Sequence, residues 1–100
     1  MAEEAFRRAI ELGDQSGTTF ILYSDNALRN KNYTDIVNYL EPKASRFENS
    51  SQFLYNLAVA YEHTNEADKA VTTYQKVLNL DPTREEKIRP KLEALTHVKK

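Results

Sequence analysis

The sequence has no cysteine, two glycines and three prolines among its 100 residues, and each shortage excludes a class of site. Without cysteine there is neither a disulfide bond nor a thiolate metal site. With only two glycines, no glycine loop or nucleophile elbow surrounds any serine, histidine or aspartate. No apolar run approaches the ~20 residues of a membrane span, so we expect no direct membrane insertion.

The chain also lacks an excess of charge of either sign. Lys+Arg number 14 against Asp+Glu 15, giving a net charge of -1, so no strong field favours nucleic acid as a partner. The basic C-terminal stretch is interrupted by Glu85, Glu86 and Glu93, which indicates a solvated helix face. Met1 to Leu12 is acidic and amphipathic, unlike a secretory signal. The compartment stays open, with a soluble, cytoplasmic protein favoured.

Candidate catalytic groups are poorly arranged. His63 and His97 are far apart, and His63 lies near a predicted helix end, where an exposed or capping imidazole is commoner than a catalytic base. Glu3 and Glu4 are consecutive, so on a helix they diverge and cannot share a proton or a substrate. The sequence therefore predicts no catalytic, metal or cofactor site, and hence no enzyme.

What the sequence does contain is a repeat every 34 residues. Ala2, Ile36 and Ala70 coincide at this spacing, and the same shift superimposes further apolar or small residues. These are Phe6, Leu40 and Tyr74, and the set Phe20, Tyr23, Ser24 and Ala27 on Leu54, Leu57, Ala58 and Tyr61. Such a period is typical of stacked repeat arrays, which usually hold partners rather than catalyse reactions.

Apolar residues at helical spacing predict an all-α protein of six helices. Gly13 with Asp14 should end the first helix. Polar residues mark the later helix starts: Ser16 or Thr18, Asn32, Asn49, Asn65 and Thr83. Pro42 should end its helix near Leu40 or bend it on to Arg46, and the last helix should begin at Arg84 with a kink or begin at Pro90. Ile88, Leu92 and Leu95 form its apolar stripe.

The second copy resembles the tetratricopeptide repeat family. Its matching positions are Leu54, Leu57, Ala58, Tyr61, Ala70, Tyr74 and Pro82. The first copy, Gly17 to Ser50, departs from the pattern at Ala27, Ile36 and Glu48. The resemblance implies a right-handed superhelical solenoid of antiparallel helix pairs in one domain, 1–100. We expect the second helix of a truncated repeat over 1–14, a divergent repeat over 17–50, a repeat over 51–84 and a C-terminal capping helix over 85–98.

Within each repeat, Ser24 or Ala58 lets the two helices approach closely, opposite Ile36 or Ala70. A second stripe on each first helix then remains. On one it is Thr18, Ile21, Leu22, Asp25, Leu28 and Arg29, and on the next it is Gln52, Tyr55, Asn56, Val59, Glu62 and His63. In similar proteins this stripe lines a concave groove that holds an extended or helical peptide. The mixture of apolar and charged residues is that of an interface. The alternative is that neighbouring helices bury these side chains.

One known use of the family does not fit. Members that bind the C-terminal aspartate of chaperones carry Lys, then Asn four residues later, and Asn on the first helix of the next repeat. Here Ile21, Asp25 and Asn56 hold those places, and Asp25 would repel a carboxylate. We therefore reject a chaperone tail as the partner.

Three hypotheses follow, of which a peptide-binding scaffold or adaptor leads. A structural or self-association segment and a regulatory region of a larger protein are the alternatives. Because Ala2 to Asp14 matches the second helix of a repeat, Ala2, Ala5 and Leu12 should form an open apolar edge. We expect either a fragment of a longer array or a homo-oligomer formed through that edge.

Overall fold

The computed structural model describes residues 2–13 and 17–97, and helices account for nearly all of them, with no strand in these ranges. The α-helices are α1 (Ala2–Glu11), α2 (Gly17–Arg29), α3 (Tyr33–Leu40), α4 (Ser51–His63), α5 (Ala67–Leu80) and α6 (Glu85–His97). Short 3-10 helices cover Glu41–Phe47 and Pro82–Arg84. The predicted all-α repeat fold and its six helices are thus confirmed.

The backbone repeats with the same period as the sequence. Lys31 and Asn65, one period apart, both have a left-handed backbone, with φ of 61° and 64°. The amide N–H of the next residue then donates to a carbonyl five residues back, Asn32 to Ala27 at 2.9 Å and Glu66 to Tyr61 at 3.0 Å. This pattern ends a helix and satisfies its last carbonyl groups. Each first helix of a repeat therefore stops in the same way, although neither left-handed residue is glycine.

Two predicted helix starts are displaced by one residue. Ser50, rather than Asn49, caps α4, because its Oγ accepts a hydrogen bond from the N–H of Phe53 at 3.3 Å. Glu66, rather than Asn65, precedes α5. The reason for the second shift is that Asn65 itself has the left-handed backbone of the turn before α5, with φ of 64°.

The last helix begins at Glu85, close to the predicted start, but a different residue caps the turn before it. Asp81, rather than Thr83, acts as the cap, accepting from the Thr83 N–H at 3.2 Å, and a 3-10 turn intervenes before α6. The α-helix runs through Pro90 rather than starting there. Pro90 is exposed, so the carbonyl that loses its intrahelical bond can be hydrated.

Two other predicted helix boundaries, at Asn32 and Gly13, agree with the structure. Asn32 occupies the N-cap position of α3, although its side chain makes no cap hydrogen bond. Gly13 follows the end of α1 with φ of 107°, as a helix stop requires. Thr18 lies inside α2, which begins at Gly17, and Ser16 and Asp14 lie outside the described residues.

Pro42 decides the shape of the first repeat. The α-helix ends at Leu40, and the chain continues as a 3-10 helix to Phe47. Proline lacks an N–H and clashes with the carbonyl four residues earlier, so the wider α-helical turn cannot continue. Phe47 nevertheless reaches the core, with ring centroids 5.7 Å from Phe20 and 4.7 Å from Phe53.

The core runs along the array between paired helices. Ser24, Ala58, Ile36 and Ala70 are all fully buried, as expected for residues at close helix contacts. Ile88 of α6 is also fully buried, and it lies one period after Leu54. Leu92 and Leu95 are half-buried against the same cluster. Helix α6 therefore covers the end of the core next to α5.

We expect Ala58→Trp to unfold the second repeat, because the added ring must enter a contact where Ala58 is 0% exposed. Overpacking costs about 1 to 3 kcal/mol or more, which corresponds to a fall in Tm of at least ~4 °C. Thermal melting measures this, and Ala94→Trp on the exposed face of α6 is the matched control. A variant that melts within a degree of the wild type would show that Ala58 is not at the helix contact.

Candidate functional site

The predicted groove stripe on α2 is only partly covered by the rest of the molecule. Ile21, Asp25 and Leu28 are half-buried, and Arg29 is exposed. Thr18 and Leu22, which the sequence places beside them, are exposed as well. Ile21 and Leu28 pack against the core but are only partly buried by it. This part of the stripe is accessible to a partner.

The residues of the predicted stripe on α4 differ in how exposed they are. Gln52, Tyr55, Val59 and Glu62 are half-buried, whereas His63 is exposed. Asn56 is 1% exposed and so cannot touch a partner directly. The predicted partner-binding residues of α4 therefore differ in accessibility, and the contacts of each explain why.

Asn56 corrects the prediction most clearly, because it lies in the contact between α2 and α4. Its Nδ2 donates to Ser24 Oγ at 2.7 Å and to Asp25 Oδ1 at 2.9 Å. Its Oδ1 accepts from Gln52 Nε2 at 3.0 Å. A buried amide must be satisfied in this way, since leaving it unpaired is costly. Asn56 thus joins the two helices and orients Asp25 rather than recognising a ligand itself.

Tyr55 is supported from the C-terminal side. Its ring lies edge-on to Tyr74 at 6.0 Å, and the guanidinium carbon of Arg84 lies 5.3 Å from its centroid. Arg84 Nη2 also donates to Gln52 Oε1 at 2.9 Å, while its Nε pairs with Asp81 at 3.2 Å. Tyr74 and Arg84 therefore hold the Tyr55 ring in place, while its side chain stays half-exposed.

Sequence reasoning missed Arg84, which holds two of the predicted groove residues. Its position gives only a weak signal, because an arginine in a turn before a helix is ordinarily solvated. The spacing that matters is to Gln52, 32 residues earlier, and this pairing exists only once the helices are stacked.

Glu62 is already engaged inside the molecule. Its Oε1 accepts from the Tyr74 hydroxyl at 2.7 Å and lies 3.6 Å from Lys91 Nζ. Burial, followed by the hydrogen bond to Glu62, raises the pKa of Tyr74, so its phenol remains a donor at neutral pH. Glu62 therefore links α4 to α5 and α6 more than it offers charge to a partner.

His63 belongs to a different contact. Its ring stacks on Tyr33 at the start of α3, with centroids 4.1 Å apart and planes at 10°. His63 therefore contacts the neighbouring repeat through one face of its ring, while the side chain remains exposed. Six other exposed or half-buried side chains on α2 and α4 are called the groove surface below: Ile21, Asp25, Leu28, Arg29, Tyr55 and Val59.

A concavity of about 240 Å³ lies between α5 and α6. Val71, Leu78 and Leu92 form its apolar floor, and Glu85, Arg89 and Glu93 are at its rim. Glu85 and Arg89 form an ion pair, so the rim charges largely satisfy each other.

Within the described ranges, no group of three histidine or acidic side chains is arranged to hold a metal ion. No helix in this part of the chain is long and apolar enough to cross a membrane.

Comparison with known proteins agrees with this architecture. Residues 51–84 match the family model described as tetratricopeptide repeat. A TPR repeat-containing protein of Methanocaldococcus jannaschii is 33% identical over 61 residues, covering 58% of this chain. The chain spans only 19% of the length of that relative. These findings support assigning residues 51–84 to the tetratricopeptide repeat family, whose repeats in general mediate protein–protein interaction and are not catalytic.

We expect Asn56→Ala to lower the free energy of unfolding by about 1 to 3 kcal/mol, because it removes three hydrogen bonds from the α2–α4 contact. Asn26→Ala is the control, since the Asn26 amide bonds only to the Leu22 carbonyl within α2 at 3.0 Å. Its effect should stay within about 0.5 kcal/mol. Urea unfolding of both variants measures the difference, and equal midpoints would show that the Asn56 contacts contribute no stability.

Proposed function

We propose that the groove surface binds a peptide or helix of a partner protein, which makes this chain a scaffold or adaptor module without catalytic activity. One observation carries the proposal. Ile21, Leu28, Tyr55 and Val59 stay half-exposed on two helices that Asn56 joins side by side. An exposed apolar patch edged by charged residues is the usual composition of an interaction site.

Contacts inside the molecule also position the groove surface before a partner binds. The Asn56 hydrogen bonds fix the spacing of α2 and α4, and Arg84 fixes the Tyr55 ring. Side chains that are already ordered lose less entropy when a partner binds, which increases affinity. An amphipathic helix or an extended segment would place its apolar side chains against this surface.

We expect changing Tyr55 and Val59 together to Ser to abolish binding of peptides selected from a displayed random library. The half-buried positions lose apolar area that a partner would cover, at about 25 cal/mol per Å². Folding should be nearly intact, so helical circular dichroism is measured alongside peptide titration.

The matched control changes Val71 and Leu78 together to Ser, which removes apolar area from the concavity between α5 and α6 instead. This control should keep the affinity of the wild type. Loss of helical signal in the Tyr55 and Val59 variant would instead assign these side chains to the core and remove the support for binding.

A second candidate, self-association, rests on α1. Leu12 is 81% exposed, the largest such value among the exposed large apolar side chains, and Ala5 is also exposed. The side chain of Ala2, predicted for the same edge, lies outside the described residues. Contact between two copies through this edge would remove Leu12 from water and make the chain a structural segment of a larger assembly.

We expect Leu12→Lys to shift an associating wild type toward monomer in sedimentation at high concentration, because a charge is costly in an apolar contact. Leu80→Lys is the control, since Leu80 is also exposed but lies on α5. A strictly monomeric wild type would contradict self-association.

A further inference from the structure

Asp25 has an unusual combination of contacts for a surface carboxylate. Its Oδ1 accepts from the buried Asn56 amide at 2.9 Å. No lysine, arginine or histidine among the described residues lies within ion-pair distance of it, whereas Asp35, Glu41, Glu62 and Asp81 each have such a cation. Asn56 thus holds the carboxylate in place, and no described cation forms an ion pair with it.

The surroundings of Asp25 on α2 are apolar in both directions. Ile21 lies one helical turn before it and Leu28 one turn after it, and all three are half-buried. A carboxylate that is partly desolvated interacts more strongly with a cation than one in bulk water. Arg29, which also lies one turn after Asp25, is exposed and makes no ion pair with a described carboxylate.

The facing helix does not compensate this charge. Val59 and Tyr55 are apolar or aromatic, and the basic side chain of the α4 stripe, His63, stacks on Tyr33. Arg84, which contacts Gln52 and Tyr55 of that stripe, pairs with Asp81. The groove surface therefore offers a carboxylate that no described cation pairs with, amid apolar area and one turn from the exposed Arg29.

We propose that Asp25 anchors a lysine or arginine of the partner segment, whose flanking apolar residues pack on Ile21, Leu28, Tyr55 and Val59. This inference rests on the proposed function of the groove surface and specifies the partner as an amphipathic, basic peptide. Fixing Oδ1 through Asn56 orients the carboxylate before binding, so little ordering remains to be done when the cation arrives. An acidic residue placed against Asp25 is disfavoured by direct repulsion.

A purely structural role for Asp25 predicts a different result. In that case its carboxylate only completes the hydrogen bonds of Asn56. Asp25→Asn separates the two roles, because the amide oxygen still accepts from Asn56 and the shape is unchanged, while the charge is lost. Stability should then remain close to that of the wild type and recognition should change.

The experiment selects peptides from a displayed random library in parallel with the wild type, Asp25→Asn and Asp35→Asn. Asp35 is the matched control, since it carries the same charge on α3, where it pairs with Arg7 at 3.9 Å. We expect lysine or arginine at one position, with apolar residues three or four places away, in peptides selected by the wild type and by Asp35→Asn. This enrichment should be absent with Asp25→Asn.

The strongest selected peptide is then synthesised with its basic residue and with norleucine in its place. A charge-assisted contact contributes enough to predict about a tenfold loss of affinity for either Asp25→Asn or the norleucine peptide, and no further loss when the two are combined. Independent losses in this cycle would overturn the pairing of Asp25 with the basic residue.

Three further outcomes have definite meanings. Peptides that need Tyr55 and Val59 but show no basic residue overturn the role of Asp25 and leave the proposed function standing. Basic peptides that bind Asp25→Asn as well as the wild type also overturn it, because attraction would then come from elsewhere. A selection that yields no peptide dependent on the groove surface overturns both proposals.

Discussion

The close packing of two antiparallel helices in each repeat is the constraint on which the rest of the structure depends. It requires small side chains where the helices approach, and Ala58 and Ala70 are both fully buried between α4 and α5. Ser24 has the same place in the first repeat, where its hydroxyl is satisfied by the Phe20 carbonyl at 2.9 Å. Once these faces are buried, the opposite faces of α2 and α4 are fixed in direction and left to other uses.

The first repeat shows how much local disruption this arrangement tolerates. Pro42 replaces the second half of an α-helix by a 3-10 helix, yet Phe47 still reaches Phe20 and Phe53. A Cβ on Gly17 would come within 3.1 Å of the Phe47 ring, so glycine permits the start of α2 to lie against it. Tertiary packing thus preserves the array where the local sequence departs from the family pattern.

The residues of the two predicted stripes differ in the contacts that they make inside the molecule. Asn56 and His63 contact the neighbouring repeat, and Glu62 contacts α5 and α6, whereas Ile21, Leu28 and Val59 are half-buried against the core. The polar residues thereby hold the apolar ones in position. The proposed recognition of a partner would use side chains that these contacts have already positioned.

The sequence alone determined the repeat period, the helical class and the packing positions, because these follow from apolar spacing along the chain. Ser24, Ile36, Ala58 and Ala70 could be assigned to the core for this reason. Only the tertiary structure decided which polar residues of the stripe are accessible. The partners of Asn56 on α2, Asp25 and Ser24, are 31 and 32 residues away, and Tyr33 is 30 residues from His63, so these contacts depend on how one helix is rotated against the next. That rotation is set by the summed packing of the array, which no local spacing in the sequence records.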